Sequence, residues 1–365
     1  MNSKWNKRGI AFIPESQPPF IDHLAPIASM MDIPLFFVEE QSYELGKRYY
    51  PNVRCQLEDV SLFSLEHLVE NYDVSFMAEP WNRDKILKEF SVLEKRYKKK
   101  WKNVFCPHGF SDKGFYFDLC YKDAELYLVY GENMIDLLKE RGIWERIKSY
   151  VITGNNRYSY YKQNAVFYED VFEKEIQSQF DMKRPIILYA PTWLDLELAG
   201  SLEDACGYIY DGLPSDYNLL VKVHPRFELD DPVGYYSILS QYKYKKNVHF
   251  LANFPPIFPL LAHTDIFIGD TSSVGYDFLA FDKPMFLLNK FNRDIKTDRR
   301  LFLFQCATEI KPEQYSDIYT IIEKSLSHDA EKMSPLRKKM WEYSFGHERP
   351  LEDIRADIIR ACATI

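Results

Sequence analysis

The chain has 365 residues, 46% of them hydrophobic and 16% aromatic, which is enough for about two domains with buried cores and excludes a disordered chain. Forty-six lysines and arginines against 54 aspartates and glutamates give a formal net charge of -8, which excludes a globally basic nucleic-acid-binding protein. The six cysteines are scattered without a CxxC pair, so the sequence suggests neither a zinc knuckle nor a disulfide framework and predicts a reducing compartment.

Short β-branched and aromatic runs, each followed by a turn signal and a helical stretch, recur along the chain. This alternation predicts parallel sheets with helices on both faces. The strands predicted in the first half are Gly9–Pro14, Ile33–Val38, Asp73–Ala78, Val104–Cys106, Leu126–Tyr130 and Val151–Thr153. A linker is predicted over Tyr158–Lys183, which is polar, charged and aromatic without strand signals.

A second series of strands follows the linker and predicts a second sheet. Its members are Ile186–Ala190, Leu219–Val223, Val248–Leu251, Ile266–Ile268 and Met285–Leu288. The end of the chain, Glu331–Ala363, is predicted to be mostly helical.

One segment has a biased composition: Lys95–Asn103, KRYKKKWKN, called the basic segment below. It is either a solvated helix face or a basic and aromatic patch that contacts anionic lipid headgroups, where each cation adds roughly 1 kcal/mol. The patch would consist of Lys98, Lys99, Lys100, Trp101 and Lys102. On a helix, Tyr97 and Trp101 are four residues apart and share one side, which a purely solvating run does not need.

Ligands of open parallel sheets bind beyond the carboxyl ends of the strands, so the turns that leave the strands are the candidate sites. The first of these turns is FCPHGFSDKG, in which His108 follows a strand and precedes Gly109. A histidine at this place is either structural or a general base near neutral pH, and the adjacent Gly109 and Lys113 favour the second interpretation.

The second turn, VKVHPR, places Lys222, His224 and Arg226 on alternate positions, where three cations suit a phosphate group. The alternative is an ordinary strand end with solvated cations.

The fourth turn, YAPTW, offers Thr192 as a hydroxyl donor to a phosphate oxygen, although turn formation alone also explains it.

The third turn, IGDTSSVGYD, predicts a helix start capped by Asp270 or Thr271. The free amide groups of such a helix receive anions, and its hydroxyl groups add donors. These hydroxyl groups belong to Thr271, Ser272 and Ser273. One helical turn later, Asp277 is either a contact to a ribose hydroxyl or a solvent-facing carboxylate.

The ordered motifs HGFSDKG, ITGNNR, ILYAPTW, LVKVHP and FIGDTSSVGYDFLAFDKP resemble the CDP-glycerol glycerophosphotransferase family, the teichoic-acid primases and polymerases of the GT-B fold. The resemblance spans Val104 to Leu288. It implies an α/β protein with two Rossmann-like parallel-sheet domains facing a central cleft. We expect an acceptor-side domain at residues 1–165, a nucleotide-donor domain at 166–335 and a helical tail at 336–365.

By this resemblance, His108 matches a presumed base for the acceptor hydroxyl, and His224 matches a histidine near the donor diphosphate. The serine pair Ser272 and Ser273 matches the start of the phosphate-binding helix, and Asp277 matches the acidic position after it. The other expected substrate-binding residues are Gly109, Lys113, Thr192, Lys222, Arg226 and Thr271. Two positions depart from the family pattern: Thr271 stands where tyrosine is usual, and Asn156–Ser159 replaces Pro-Arg-x-Asp and so lacks a carboxylate.

The expected reaction moves glycerol phosphate from CDP-glycerol to a hydroxyl of a glycan or polyprenyl-diphosphate-linked acceptor and releases CMP, without cofactor or metal. The alternatives are a GT-B glycosyltransferase that uses a nucleotide sugar and a nucleotide-binding relative without turnover. The start MNSKWNKRG lacks the apolar core of a signal peptide, and no run approaches the ~20 apolar residues of a membrane span. We therefore expect a cytoplasmic protein with peripheral contact to the inner face of the membrane.

Overall fold

The structure, a computed structural model of the 365-residue chain, describes residues 7–13, 18–59, 64–78, 83–113, 124–192 and 200–365. The chain forms two units. Unit 1 comprises the described parts of Met1–Phe110, Gly114–Asn164 and Tyr343–Ile365. Unit 2 comprises Ser111–Lys113 and the described parts of Ala165–Glu342. Each unit is built on a parallel β-sheet, as the alternation of strand and helix signals predicts.

The strands described in unit 1 are Gly9–Phe12 (β1), Leu35–Phe37 (β2), Cys55–Leu57 (β3), Val74–Met77 (β4), Lys102–Phe105 (β5), Leu126–Val129 (β6) and Tyr150–Ile152 (β7). All are parallel, in the order β3-β2-β1-β4-β5-β6-β7. The central strands β1 and β4 are buried at every residue, because helices cover both faces of a parallel sheet. This burial is the reason that they appear as continuous apolar runs in the sequence.

The helices described in the first part of unit 1 are Pro18–Met31 (α1), Glu40–Tyr49 (α2), Leu65–Asn71 (α3), Arg83–Tyr97 (α4), Glu132–Glu140 (α5) and Asn156–Gln163 (α6), with a 3-10 turn at Trp144–Arg146. Helix α1 is buried along most of its length. It nevertheless carries two polar side chains, Asp22 and His23, among apolar neighbours. Burial of such groups has a free-energy cost unless they find partners inside the protein.

The strands described in unit 2 are Ile186–Ala190 (β8), Asn218–Val221 (β9), Val248–Phe250 (β10), Ile266–Gly269 (β11), Met285–Leu288 (β12) and Thr308–Ile310 (β13). They are parallel, in the order β10-β9-β8-β11-β12-β13. The described α-helices of this unit are Ala165–Glu175 (α7), Leu202–Asp211 (α8), Pro225–Asp230 (α9), Pro232–Tyr242 (α10), Phe258–His263 (α11), Ser273–Phe278 (α12) and Ile318–Lys332 (α13). The next helix, Ser334–Phe345 (α14), begins in unit 2 and ends in unit 1. The 3-10 segments are Gln177–Gln179, Leu279–Phe281, Arg299–Cys306 and Pro312–Asp317.

The last helix of the chain, Leu351–Thr364 (α15), belongs to unit 1 and packs against β7. Just before it, Arg349 donates from Nη1 to the carbonyl oxygen of Ile152 at 2.7 Å. Residues 336–365, expected as a helical tail, are thus mostly helical but divided, since unit 2 ends at Glu342 and the rest returns to unit 1.

The structure differs from the sequence-based expectation in the linker and at the sheet edges. The predicted linker is wrong because α6 and α7 occupy most of Tyr158–Lys183, with Tyr160, Tyr168 and Phe172 buried. The edge strands β3 and β13 are not predicted, because each has three residues and includes polar, partly exposed positions. The predicted end of the first strand, Pro14, lies outside the described residues.

The basic segment does not form a continuous helical face. Helix α4 ends at Tyr97, and Lys98 adopts a left-handed conformation with φ of 50°, so Tyr97 and Trp101 do not share a helix side. Trp101 is 1% exposed, stacks on Phe90 with ring centroids 4.6 Å apart, and donates from Nε1 to Ser75 Oγ at 3.0 Å. The expectation that Trp101 belongs to a surface patch is therefore wrong, since it is a core residue.

The cations of the basic segment also differ in their surroundings. Lys99 is half-buried and its Nζ lies 2.9 Å from Asp73 Oδ1, and Lys102 donates to the main-chain oxygen of Ile365. The cations that remain exposed are Lys95, Arg96, Lys98 and Lys100. None of the helices in the described part of the chain combines the length and the apolar character needed to cross a membrane.

Candidate functional site

The turn after β5 presents His108 through a rigid main-chain arrangement in unit 1. Gly109 has a φ of 101°, a conformation that strongly favours glycine. Its N–H donates to the hydroxyl of Tyr130 at 3.1 Å, and that hydroxyl donates to the carbonyl oxygen of Pro107 at 2.8 Å. The hydroxyl of Tyr130 thus bridges the residues on either side of His108 and holds the main chain from which the imidazole projects.

The imidazole of His108 is held as a neutral ring with a defined tautomer. Its Nδ1 lies 3.3 Å from the carbonyl oxygen of Ala78, which only accepts, so Nδ1 carries the proton and Nε2 the lone pair. Burial lowers the pKa of His108 to about 4, and the guanidinium of Arg157 contributes to the same shift. The neutral ring presents its lone pair at Nε2 as a proton acceptor, and the lowered pKa makes it a weaker base than an ordinary histidine.

Arg157, which sequence reasoning did not single out as a site residue, is balanced by a carboxylate of α1. Its Nη1 lies 2.7 Å from Asp22 Oδ2, and the hydroxyl of Tyr50 donates to Asp22 Oδ1 at 2.9 Å. Arg157 lies in α6, whose N-cap Asn155 accepts a hydrogen bond at Oδ1 from the N–H of Tyr158 at 3.2 Å. The family pattern's carboxylate is missing at Ser159, yet the buried arginine has a carboxylate partner from elsewhere in the chain.

A second histidine, His23 of α1, lies beside His108. The ring centroids of His23 and His108 are 6.2 Å apart with an interplanar angle of 73°, and the ring of Phe20 lies 4.8 Å from that of His108. Burial lowers the pKa of His23 well below its usual value, with Arg157 as the next contribution. The sequence did contain a signal for this residue, since the Asp22–His23 pair interrupts an apolar helix.

In unit 2, the turn after β11 is organised by a fully buried carboxylate. Asp270 accepts hydrogen bonds from the main-chain N–H of Thr192 at 3.0 Å, and from the N–H and hydroxyl of Ser201 at 3.0 and 2.8 Å. Lys113 donates from Nζ to Thr192 Oγ1 at 3.1 Å. Burial raises the pKa of Asp270, and the charge of Lys113 opposes this shift. The predicted residues Lys113 and Thr192 thus lie in contact, and the carboxylate of Asp270 holds the main chain of Thr192. From the sequence pattern, Asp270 or Thr271 is instead expected to cap the following helix.

Asp270 does not cap the following helix, and neither does Thr271. The N-cap of α12 is Ser272, whose hydroxyl accepts from the N–H of Val274 at 3.3 Å. The expected cap at Asp270 or Thr271 is wrong because the aspartate is directed to the end of β8 and to Ser201 instead. Thr271 Oγ1 is buried without a hydrogen-bond partner.

Asp112 is a further organising carboxylate that sequence reasoning missed. It accepts from the hydroxyl of Tyr276 at 2.8 and 2.9 Å, from Nη1 of Arg299 at 2.6 Å and from the N–H of Leu303 at 3.2 Å. Burial raises the pKa of Asp112 to about 6 although Arg299 opposes it. Next to Tyr276 on α12, Asp277 is 3% exposed, so the alternative of a solvent-facing carboxylate is wrong.

The turn after β9 does not hold three cations on alternate strand positions. The strand ends at Val221, and Arg226 lies in α9, where its Nε is 3.4 Å from Asp230 Oδ2. Lys222 donates from Nζ to the carbonyl oxygen of Phe254 at 2.9 Å. The alternate-position expectation is wrong because the chain turns into a helix at the His-Pro step.

His224 is the N-cap of α9, and this role fixes its tautomer. Its Nδ1 accepts a hydrogen bond from the N–H of Arg226 at 3.2 Å. A neutral imidazole that accepts at Nδ1 carries its proton on Nε2. The ring of His224 therefore offers an N–H donor at Nε2, whereas the ring of His108 offers a lone pair there.

The predicted site residues thus form separate groups in the two units. Unit 1 holds His108 and Gly109, and unit 2 holds Lys113, Thr192, Lys222, His224, Arg226, Thr271, Ser272, Ser273 and Asp277. Two motif residues, Gly114 and Trp193, lie outside the described residues. Among the residues that the structure does describe, no three histidine, cysteine, aspartate or glutamate side chains are grouped to hold a metal ion.

Solved structures resemble the chain at low sequence identity. The wall teichoic acid polymerase TagF with CDPG has a TM-score of 0.62 at 14% identity, over 97% of this chain and 88% of that chain. The S. aureus MnaA-UDP structure has a TM-score of 0.62 at 13% identity, over 96% of this chain and 95% of that chain. These similarities show the fold alone, which is of the GT-B type with two parallel-sheet α/β domains.

Sequence comparison adds the family. The teichoic acid glycerol-phosphate primase of Bacillus subtilis (strain 168) is 32% identical over 128 residues, which are 34% of this chain and 29% of the primase. The chain therefore matches less than a third of the length of that relative. The profile of the family described as CDP-Glycerol:Poly(glycerophosphate) glycerophosphotransferase matches residues 143–349, so that His108 lies before the match. Because this match spans more than half of the 365 residues, the chain belongs to that glycerophosphotransferase family.

Proposed function

We propose that this protein is a CDP-glycerol-dependent transferase that moves glycerol phosphate to a hydroxyl of a glycan or polyprenyl-diphosphate-linked acceptor and releases CMP. Family membership supports the class of reaction. The observation that carries the proposal is the opposite hydrogen bonding of two histidines. His108 Nδ1 donates to a carbonyl oxygen, and His224 Nδ1 accepts from an amide. One ring is thereby prepared to take a proton and the other to donate a hydrogen bond.

In the proposed step, the acceptor oxygen forms a bond to the glycerol-bearing phosphorus of CDP-glycerol. The bond from that phosphorus to the bridging oxygen breaks, and CMP leaves with the electron pair. The hydroxyl proton goes to His108 Nε2, since a base with a lone pair in this position typically contributes about 10²–10⁴-fold to the rate. His224 donates from Nε2 to the diphosphate, where a preorganised donor stabilises developing charge by roughly 3 kcal/mol.

The donor is assigned to groups of unit 2 because phosphoryl transfer depends on positioning and charge neutralisation. Lys113 supplies a buried cation 3.1 Å from Thr192 Oγ1, and the buried carboxylate of Asp270 holds the main chain of Thr192. Further donors to the diphosphate are proposed at Lys222, Arg226, Thr271, Ser272 and Ser273. Asp277 is proposed as a ribose contact, and no metal ion is invoked.

Two alternatives to the proposed function, a nucleotide-sugar glycosyltransferase and a nucleotide-binding relative without turnover, each have an argument in their favour. A nucleotide-sugar glycosyltransferase is compatible with the same scaffold, since the choice of donor depends on a few contacts. A nucleotide-binding relative without turnover would explain why Asn156–Ser159 departs from the family pattern. The buried Asp22–Arg157 pair argues against loss of the site, because Arg157 still has a carboxylate partner at 2.7 Å.

Membrane contact is proposed to be peripheral and to follow from a lipid-linked acceptor, at the cytoplasmic face. The exposed cations Lys95, Arg96, Lys98 and Lys100 are the members of the basic segment that can reach lipid headgroups. Trp101 makes no contribution, since it is buried.

A donor screen tests the proposed function. The purified protein is incubated with CDP-glycerol, UDP-glucose or CMP-sialic acid and a panel of hydroxyl acceptors, and nucleotide monophosphate and diphosphate release are measured. The expected result is CMP release from CDP-glycerol with an acceptor that gains the mass of glycerol phosphate. Release of UDP with a glycosylated product would support the glycosyltransferase instead. Binding of CDP-glycerol without CMP release across the panel would support the relative without turnover.

A further inference from the structure

A second imidazole, that of His23, lies beside the proposed base and has no part in the mechanism above. It belongs to α1, is 9% exposed, and its ring centroid is 6.2 Å from that of His108. The two rings meet edge to face, at 73°. His23 is therefore close enough to the proposed proton transfer to contact the same substrate.

The polarity of His23 has no structural explanation within the described residues. Its Nδ1 is enclosed by the protein and has no hydrogen-bond partner. A buried polar atom without a partner destabilises the folded protein, and an aromatic ring such as phenylalanine would avoid this cost. Because Nδ1 is enclosed by the protein, we assign the contact with a ligand to Nε2.

The surroundings of His23 form a built polar site. Asp22, its neighbour in α1, and Arg157 are both more than 90% buried and pair at 2.7 Å. The charge of Arg157 acts on both imidazoles and favours their neutral forms. Two neutral imidazoles beside a compensated ion pair suit uncharged hydroxyl groups better than a free phosphate.

The distance between the rings sets which ligand they can share. A hydroxyl oxygen hydrogen-bonded to a ring nitrogen lies about 4 Å from the ring centroid. The sum of two such centroid-to-oxygen distances exceeds the 6.2 Å between the ring centroids of His23 and His108. The spacing of the rings is therefore compatible with one oxygen, or two oxygens on adjacent carbons, in contact with both rings.

We propose that His23 contacts the acceptor and, with His108, forms a two-imidazole subsite for a vicinal diol. His108 takes the proton of the attacking hydroxyl, and His23 Nε2 forms a hydrogen bond with the hydroxyl on the adjacent carbon. This inference rests on the proposed function and deepens it, because it names the class of acceptor. A glycerol end and a sugar ring both carry this chemistry.

The test uses two variants that separate the ring nitrogens. Glutamine places its amide near the position of Nε2, whereas asparagine places it near that of Nδ1. We expect His23→Asn to raise the acceptor KM about tenfold and His23→Gln to stay within about threefold of wild type, with kcat and the KM for CDP-glycerol unchanged in both. Thermal unfolding by circular dichroism reports whether either variant is misfolded.

The acceptors are octyl phosphoglycerol and octyl glucoside, each compared with an analogue that lacks the hydroxyl adjacent to the attacked one. Wild type should lose about tenfold in kcat/KM on the deoxy analogue, and His23→Asn should not distinguish the two compounds. If wild type distinguishes the octyl phosphoglycerol pair, the diol belongs to a glycerol end; if it distinguishes the octyl glucoside pair, the diol belongs to a sugar ring. Equal acceptor KM in all three proteins, or equal losses in both variants, overturns the inference while CMP release by wild type keeps the proposed function. Absence of CMP release by wild type overturns both.

Discussion

The carboxyl edges of the two sheets each hold a histidine just after a strand, yet the main chain holds the two rings in opposite states. His108 donates from Nδ1 to a carbonyl oxygen in unit 1, and His224 accepts at Nδ1 from an amide in unit 2. The residue type is the same, and the local backbone partner decides whether the remaining nitrogen is a base or a donor. The tautomer of each ring is thus set by a hydrogen bond that the motif itself does not reveal.

The buried charges of the two units differ as well. In unit 1, Asp22 and Arg157 neutralise each other at 2.7 Å beside uncharged imidazoles. In unit 2, the buried carboxylates Asp112 and Asp270 each gather several donors and thereby fix the turns of the binding residues. One edge thus holds a neutralised ion pair beside imidazoles, and the other holds carboxylates that fix the main chain around them, which is the difference expected if proton transfer and donor binding are divided as proposed.

The largest expected effect is a difference in kcat between the glutamine variants of His108 and His224. Glutamine supplies an amide donor near Nε2 but no usable base, so His108→Gln should lower kcat by about 10²–10⁴-fold. His224→Gln should lower kcat by less than about tenfold, because a donor remains. CMP release with saturating CDP-glycerol measures both. Similar losses in the two variants would contradict the assignment of opposite roles.

Removal of the Asp270 carboxylate should cost about 3 kcal/mol of unfolding free energy, measured by urea denaturation. Asp270→Ala leaves the N–H groups of Thr192 and Ser201 and the Ser201 hydroxyl without their acceptor. The matched control is Asp230→Ala, which removes an exposed partner of Arg226 and should change stability by less than about 0.5 kcal/mol. A cost below that of the control would show that other groups satisfy these donors.

The pH dependence of kcat/KM for the acceptor should reflect the lowered pKa of His108. With a pKa of about 4, the ring stays neutral as the pH falls from 8 to 5.5, whereas an ordinary histidine would be about one-tenth neutral at pH 5.5. The groups that face it are Arg157 from α6, His23 from α1 and the Ala78 carbonyl after β4. We expect a flat profile over this range. A tenfold loss by pH 5.5, with circular dichroism unchanged, would assign an unshifted base.

The smallest expected effect concerns the exposed cations of the basic segment. Reversing Lys98 and Lys100 to glutamate should weaken binding to vesicles of anionic lipid several-fold, at about 1 kcal/mol per cation. The same change in total charge at the exposed Lys243 and Lys246 of unit 2 is the control and should have little effect. Sedimentation with vesicles at two salt concentrations measures both. Equal weakening by the two pairs would show a general charge effect.

Much of the fold follows from the sequence because central strands of a parallel sheet are buried on both sides. Runs such as Ile186–Ala190 and Met285–Leu288 are confirmed with the same bounds. The edge strands β3 and β13 lack such runs, and their pairing is stabilised by neighbours distant in the chain. The end of the helix at Tyr97 depends on the left-handed Lys98, for which the sequence shows no glycine.

Motifs that directly follow a strand pointed to His108 and Lys113 as candidates, and the structure places Lys113 Nζ 3.1 Å from Thr192 Oγ1. Their roles in the site stay predictions. Asp22, His23 and Asp112 were missed, because their importance comes from partners 135 to 191 residues away or from a ring brought close by folding. Periodicity and local turn signals carry no information on such pairings.

The route of the chain between the units limits how the protein can be divided. Unit 2 takes in Ser111–Lys113 from an early loop, and unit 1 receives its last helix from the far end of the sequence. A fragment that begins at Ala165 would leave Tyr276 and Arg299 without the carboxylate of Asp112. A fragment that stops at Asn164 would lack α15, which packs against β7. Neither unit is one continuous stretch of the chain, so a single cut cannot release either of them whole.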